Sequence, residues 1–405
     1  MPDRRAFIRA SGVTAAGVAA ATVASPTPAL AAAAPVEGHL GLSVKDFGAL
    51  GDAVTDDTAA VQAALDASPP GGIVHLPVGE YRTSAPLVVP PGVTLQGTHG
   101  NHIDEGDTTW VQTRSRIKPL ASFRGEACIR IVDKDTGGYP ADSAEQRLFH
   151  LTLNGSDLPV PGTVDGIQFY GKIHGVVVRD VAIYRFPNHA ITTTYHTPST
   201  GGPQALYSSR FERIAAKGCR GITYSFNNTT DSLFTDLESI EGGSHGFFIS
   251  GCGNSCFTNC RSEWSRYHGY DLRGGFGIVE LLGCSTDRNG FNGVNIDANS
   301  SSEGVIILNG LRLNRDGRNS GSGGGGYAGL RVTGAKTAVL ISAAAVETGI
   351  DDDGTKAVSP QYGVSVDNAA CVALDSGILR GAAAGLRDGG GNTQLKIGPT
   401  VITRT

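Results

Sequence analysis

Asp271, Arg273, Asn295, Asp297 and Arg331 stand at matching places in three copies of a short pattern, Gly-apolar-x-apolar-x. Most residues at the same places in other copies are small or neutral. Two carboxylates with cations beside them can do acid–base work. One protonates a leaving oxygen while the other activates water, and enzymes that invert a glycosidic centre hold such a pair roughly 6.5–9.5 Å apart. If each copy is a strand and neighbouring copies pair in register, Asp271 and Asp297 differ by one strand and two residues, a diagonal of about 8 Å. In that arrangement Arg273 sits beside Asp297 and keeps it ionised, while Asp271 faces neutral Asn295 and holds a proton longer. Asp271 and Asp297 are the catalytic candidates, and Arg273, Asn295 and Arg331 are candidates for holding substrate. The competing reading is a solvated ladder of ion pairs on a sheet face.

The turns leading into these segments add a second group. Glu263 and Asp287 occupy equivalent places in adjacent copies, as do Trp264 and Arg288, and Arg266, Tyr267 and His268 follow directly. The rings of Trp264 and Tyr267 suit the apolar faces of sugar rings. His245 and His268 precede the segment glycine in adjacent copies, which predicts stacked histidines. Three insertions, Gly155 to Val164, Asp316 to Tyr327 and Gly349 to Gln361, enter on one side and are expected to wall a cleft for an extended polymer. Asp351-Asp352-Asp353-Gly354 lacks the spaced ligands of a known Ca²⁺ loop and reads as an acidic turn. Cys252, Cys256 and Cys260 have no His or fourth thiol at finger-like spacing, so no metal site is expected there. The seven cysteines are an odd number, and buried free thiols are the expectation.

What positions these residues is a repeat. Phe234-Thr-Asp-Leu-Glu-Ser, Phe257-Thr-Asn-Cys-Arg-Ser and Leu281-Leu-Gly-Cys-Ser-Thr start 23 and 24 residues apart, each followed by a Gly-apolar-x-apolar segment. That segment recurs from Asp165-Gly166-Ile-Gln-Phe-Tyr to Tyr362-Gly363-Val-Ser-Val-Asp. Alternation of period two marks half-buried strands. A unit this short cannot bury its apolar face alone, so units must stack. The expected fold is all-β, a right-handed parallel β-helix. The inward pairs include Ile222/Tyr224, Phe247/Ile249, Tyr270/Leu272 and Val294/Ile296, and Thr223/Ser225 is expected to face out. Near the N-terminus, Asp56 or Asp57 can cap a short helix through Ala59–Leu65 that plugs the open end of the solenoid. Residues 42–98 form this cap and first coil, and 148–399 the regular coils, in one domain over 36–405.

The chain has 405 residues, 57 of them Gly, and a net charge of −5. That composition gives no basic footprint for nucleic acid. Residues 1–35 read as an export leader, with Arg4-Arg5 ahead of a small apolar stretch and Ala-rich cleavage sites. The expectation is a twin-arginine-exported, secreted protein with no membrane span once the leader is removed.

The string DFGALGDAVTDDTAAVQAALDA…GGIVHLPVGEY…GVTLQG resembles the opening of the pectate-lyase-superfamily β-helix proteins, which include rhamnogalacturonase-like and polygalacturonase-like enzymes. The resemblance implies the solenoid fold, but many reactions share that fold. His245-Gly246 resembles the polygalacturonase Gly-His-Gly strand, with Ser244 in place of the first Gly. Leu330-Arg331-Val332-Thr333 echoes their Arg-Ile-Lys, and their paired aspartates have no match at His189-Ala190 or Arg220-Gly221. The expected activity is therefore cleavage of glycosidic bonds in a polysaccharide, with hydrolysis through Asp271 and Asp297 preferred. β-Elimination on a uronate polymer is second, with Arg273 and Arg331 (or Ca²⁺) neutralising the carboxylate and Tyr267, His268 or an Arg as base. A non-catalytic glycan binder is third, and a homotrimer is compatible with the architecture.

Overall fold

The computed structural model describes residues 41–100, 113–133, 137–138, 143–194, 206–298, 303–319, 326–350 and 356–405. The expected leader over 1–35 and Asp351-Asp352-Asp353-Gly354 lie outside them. Each repeat makes one coil of three short strands. After Tyr270–Arg273 come Ile278–Leu282 and Ser285–Asp287, and the next coil begins with Val294–Asp297. Equivalent strands of successive coils pair in parallel. Phe247, Tyr270 and Val294 align, as do Phe257, Leu281 and Leu308, and Ser262, Thr286 and Leu313. The chain is a right-handed parallel β-helix.

The corner between the second and third strands is one residue in the left-handed region: Asp180, Arg213, Asp236, Asn259, Gly283 and Gly310 have φ from +49° to +69°. Asp, Asn and Gly dominate there because they tolerate that conformation best. Inside the solenoid, side chains stack coil on coil. Phe247 and Tyr270 lie 4.5 Å apart at 5° beneath the charged strands, and Phe234 and Phe257 lie 4.2 Å apart at 6°. Such contacts contribute about 0.5–1.5 kcal/mol each beyond area burial, and they pin the register of the strands outside them.

The glycine before each such strand is a packing requirement. A Cβ on Gly246 would come 2.1 Å from Ser262 Oγ, and one on Gly293 would come 2.3 Å from Asp316 Oδ2. One coil departs from the pattern and corrects the expected register. Tyr224, not Ile222, pairs with Phe247, and Phe226 pairs with Ile249. The residue in the glycine's place is Thr223, buried, with its Oγ1 accepting from Ser239 Oγ at 2.8 Å. The inward pair is therefore Tyr224/Phe226, and Ser225/Asn227 face out.

The N-terminal helix spans Thr58–Ala67 and buries Val61, Ala64 and Leu65 in the core. Asp56 Oδ1 accepts the Thr58 N–H at 3.0 Å, whereas Asp57 turns back to the Leu50 and Gly51 N–H groups at 2.6 and 3.0 Å. All seven cysteines are free thiols, and only Cys256 and Cys371 are not fully buried.

Candidate active site

Two outward columns cross the paired strands. One runs Ser225, Phe248, Asp271, Asn295, Arg331, Ser365, and the other Asn227, Ser250, Arg273, Asp297, Thr333, Asp367. Asp271 and Asn295 are thus neighbours, as are Arg273 and Asp297, in the register the repeat predicts.

The side chains depart from that expectation. Asp271 is fully buried. Asn295 Nδ2 donates to its Oδ1 at 2.8 Å, Arg273 Nε lies 2.8 Å from its Oδ2, and His245 Nε2 lies 3.5 Å from the same oxygen. Residues two apart on a strand share a face, so the Arg273 guanidinium folds back onto Asp271. The expected contrast, with Asp271 beside only a neutral amide, is not what the fold builds. Asp271 is an enclosed acceptor. Asp297 is half-exposed and the Arg273 side chain is 49% exposed. Arg331 donates from Nη1 to Asn295 Oδ1 at 3.3 Å.

What covers Asp271 is the turn before the strand. The rings of His245 and His268 stack at 5.3 Å and 10°. At this place along the solenoid each polar side chain accepts the backbone N–H of the next coil. His189 Nδ1 accepts from Ile222 at 3.0 Å, His245 Nδ1 from His268 at 3.4 Å, His268 Nδ1 from Asn292 at 3.1 Å, and Asn292 Oδ1 from Ala328 at 2.8 Å. A neutral imidazole that accepts at Nδ1 carries its proton on Nε2. Burial lowers the pKa of both His245 and His268, that of His268 to about 4, although Asp271 pulls the other way. At neutral pH each therefore presents an Nε2–H beside Asp271.

One ring nitrogen from each of His245 and His268 and one carboxylate oxygen of Asp271 lie within 4.8 Å of one another. This set does not suit Ca²⁺, which takes oxygen ligands. Both imidazoles carry Nε2–H, and the Asp271 oxygens face Asn295 and Arg273.

Comparison with known proteins agrees with this architecture. The profile of the family "Rhamnogalacturonase A/epimerase, pectate lyase-like" matches residues 41–128. Over these residues the chain is similar to the pectate-lyase-like β-helix proteins. It is similar to mannuronan C5-epimerase AlgE2 of Azotobacter vinelandii, 35% identical over 172 residues, which are 37% of this chain and 15% of that protein. It is also similar to alginate lyase 7 of the same organism, 33% identical over 172 residues, 37% of this chain and 18% of that one. The match thus spans less than a fifth of either relative's length. Among solved structures, the A-module of mannuronan C-5 epimerase AlgE6 from A. vinelandii superposes with a TM-score of 0.55 at 21% identity, over 89% of this chain and 78% of that one. That likeness is one of fold.

Other β-helix positions resolve as follows. Tyr267 stays at the edge of the charged strands, its ring 5.0 Å from Phe291, which stacks on Tyr327 at 4.5 Å and 15°. Phe291 and Tyr327 were not anticipated, although each stands two residues before the segment glycine, as Tyr267 does. Trp264, expected to stack on a sugar ring, is half-buried. It sits at a left-handed corner with φ +56°, with the guanidiniums of Arg288 and Arg318 at 5.1 and 5.5 Å from its ring. Arg266 is exposed, 5.4 Å from the Tyr267 ring. Glu263 and Asp287 pair as expected but end the preceding strands, around the corner from the site. Burial raises the Glu263 pKa. Asp287 is held by Arg288 at 2.6 Å and Arg315 at 3.3 Å and lines a separate cleft of about 570 Å³ with Arg213, Asp236 and Arg312. The Gly155–Val164 insertion is anchored by Asp157 to Arg82 and Lys118 at 2.7 and 2.9 Å. The other two insertions lie only partly within the described residues.

Proposed function

We propose that the protein acts on a uronate-containing polysaccharide by removing the proton at C5 of a uronate, with elimination or epimerisation as the outcome. The observation that carries this reading is the enclosure of Asp271 by Asn295, Arg273 and His245. Hydrolysis by two carboxylates needs both to reach the glycosidic bond and its water, and Asp271 is buried. Asp297, in the next coil, is half-exposed, with Arg273 opposite it across the strand pair and Arg331 one coil further on.

That set suits a uronate. Guanidiniums pair with a carboxylate in planar, charge-assisted fashion, and neutralising it makes the neighbouring C5–H more acidic. Asp297 takes the proton as general base. Tyr267, on the opposite edge of the floor, supplies a proton to the leaving oxygen or to the other face of the sugar. The Nε2–H groups of His245 and His268 face the buried Asp271 carboxylate and hold it, and through it Arg273, in place beneath the substrate. The names of the two A. vinelandii relatives, a mannuronan C5-epimerase and an alginate lyase, support the same class. The Arg4-Arg5 leader supports secretion.

The test is a panel of acidic and neutral polysaccharides followed by proton NMR, ultraviolet absorbance and reducing-end assay together. Unsaturated ends or altered C5 configuration on polyuronates alone is the expected result. Reducing ends released without either change would return the assignment to hydrolysis.

A further inference from the structure

We propose that the cleft beside the Gly155–Val164 insertion is an anion subsite that binds the carboxylate of a second uronate unit, further along the polymer than the reacting one. The proposal rests on the uronate reading above and names a place on the chain where that polymer is held. The cleft encloses about 510 Å³ and is lined by Ser156, Val160, Arg185, Gly218, Arg220, Glu241 and Gly243.

Its origin is visible coil by coil. At the corner before the charged strands, successive coils carry Arg185, Gly218, Glu241 and Trp264, linked by N–H bonds from each to the coil after it. Two residues further on they carry Pro187, Arg220, Gly243 and Arg266. Where the following coil fills these places with Trp264 and Arg266, Gly218 and Gly243 leave them empty, and the hollow results. The insertion closes one side with Ser156 and with Val160, an apolar side chain 59% exposed. Asp157 holds that wall through Arg82 and Lys118, both part of the first coils.

The charge in the cleft favours an anion. Arg220 is exposed and has no carboxylate within ion-pair distance among the described residues. The one acidic group among the described lining residues, Glu241, lies 3.8 Å from Lys217 Nζ. An exposed guanidinium facing a glycine-lined hollow, with an apolar wall for a ring face, matches a uronate: a carboxylate on a sugar ring. Arg220 stands two coils before Arg266 and Tyr267, roughly 10 Å along the axis. The cleft therefore takes a different unit from the one over Asp297 and rewards longer chains.

The experiment is calorimetric titration of the full protein with oligomannuronates of increasing defined length, and with their carboxyl-reduced counterparts. It compares wild type with Arg220→Ala and Arg220→Glu. Arg220 is exposed, so both variants keep the wild-type melting temperature. The expected result is a loss of about tenfold in affinity for Arg220→Glu with the longer oligomers, no change with the shortest, and no change with carboxyl-reduced chains. Equal affinity of wild type and variants at every length, or an equal loss at every length, overturns the subsite while leaving the uronate reading standing. Wild type that binds carboxyl-reduced and uronate oligomers alike overturns both.

Discussion

Asn295 joins three coils through one amide: its Nδ2 donates to Asp271 Oδ1 at 2.8 Å, and its Oδ1 accepts from Arg331 Nη1 at 3.3 Å. The buried carboxylate and the half-buried Arg331 guanidinium are thereby fixed relative to each other. Asn295→Ala should leave Asp271 one donor short and Arg331 loosely held. The expected outcome is a raised KM for uronate polymers with a smaller change in kcat, because ground-state and transition-state binding are weakened together. Steady-state kinetics on size-fractionated polymer checks it.

The two aspartates should respond differently to removal of charge. Asp271→Asn deprives Arg273 of its partner inside the fold and should lower stability by about 1–3 kcal/mol along with activity. Asp297→Asn should abolish turnover and leave the urea midpoint within error of wild type, since Asp297 is half-exposed. Equal loss of stability in both variants would contradict the distinction drawn between an enclosed anchor and an open base.

His268 sets a pH dependence whose sign follows from its shift. Its folded pKa, lowered by burial to about 4, lies below the ordinary value of 6.5. The unfolded chain binds more protons between those limits. The contribution is therefore complete above pH 6.5 and is lost as pH falls through about 4. Asn at position 268 can accept the next N–H as Asn292 already does for Ala328. His268→Asn should thus fold, show a shallower loss of stability on acidification, and lose activity with the Nε2–H. Urea unfolding at a series of pH values measures the slope.

Asp316 works in the opposite direction. It is buried, accepts from Thr286 Oγ1 and from Asn289 N and Nδ2, and has its pKa raised by burial to about 7, above 3.8. Here the folded state binds the extra proton, so the contribution is complete below pH 3.8 and is lost as pH rises through about 7. Asp316→Asn should gain on wild type between pH 5 and pH 8, read as a difference in melting temperature that grows with pH.

The thiols give a simple count. Five of the seven are buried, and burial pushes the Cys219 thiol up to about 12 and that of Cys252 up to about 11. A thiol reagent should modify Cys256 and Cys371 in the native protein and all seven after denaturation. Fewer than seven after denaturation without reductant would mean a disulfide.

Much of this was legible in the sequence because one structural constraint repeats. Gly246, Gly269 and Gly293 are each forced by close approach of the third strand or the next coil, so they mark the same point of every coil, and the columns through Asp271, Asn295 and Arg331 follow by counting. The count failed at Gly221, because Thr223 fills the glycine's place with a hydroxyl that Ser239 satisfies. Alternation also says only that Asp271 points outward. It does not say that the His245 and His268 turns fold over it, or that Arg273 turns back along its own strand, since both depend on rotamers and turn paths set by neighbouring coils. Trp264 shows the same limit: its residue type suits a sugar, but the sequence does not show that its corner position places Arg288 and Arg318 over the ring.

The central claim is removal of the C5 proton of a uronate, and the most direct measurement is solvent exchange at that carbon. Polymannuronate is incubated with the enzyme in heavy water, and the product is read by NMR and mass spectrometry. The account predicts deuterium at C5 or an unsaturated sugar lacking that hydrogen, with both signals lost in Asp297→Asn. Chain shortening with every C5 hydrogen retained and no unsaturated sugar would contradict it.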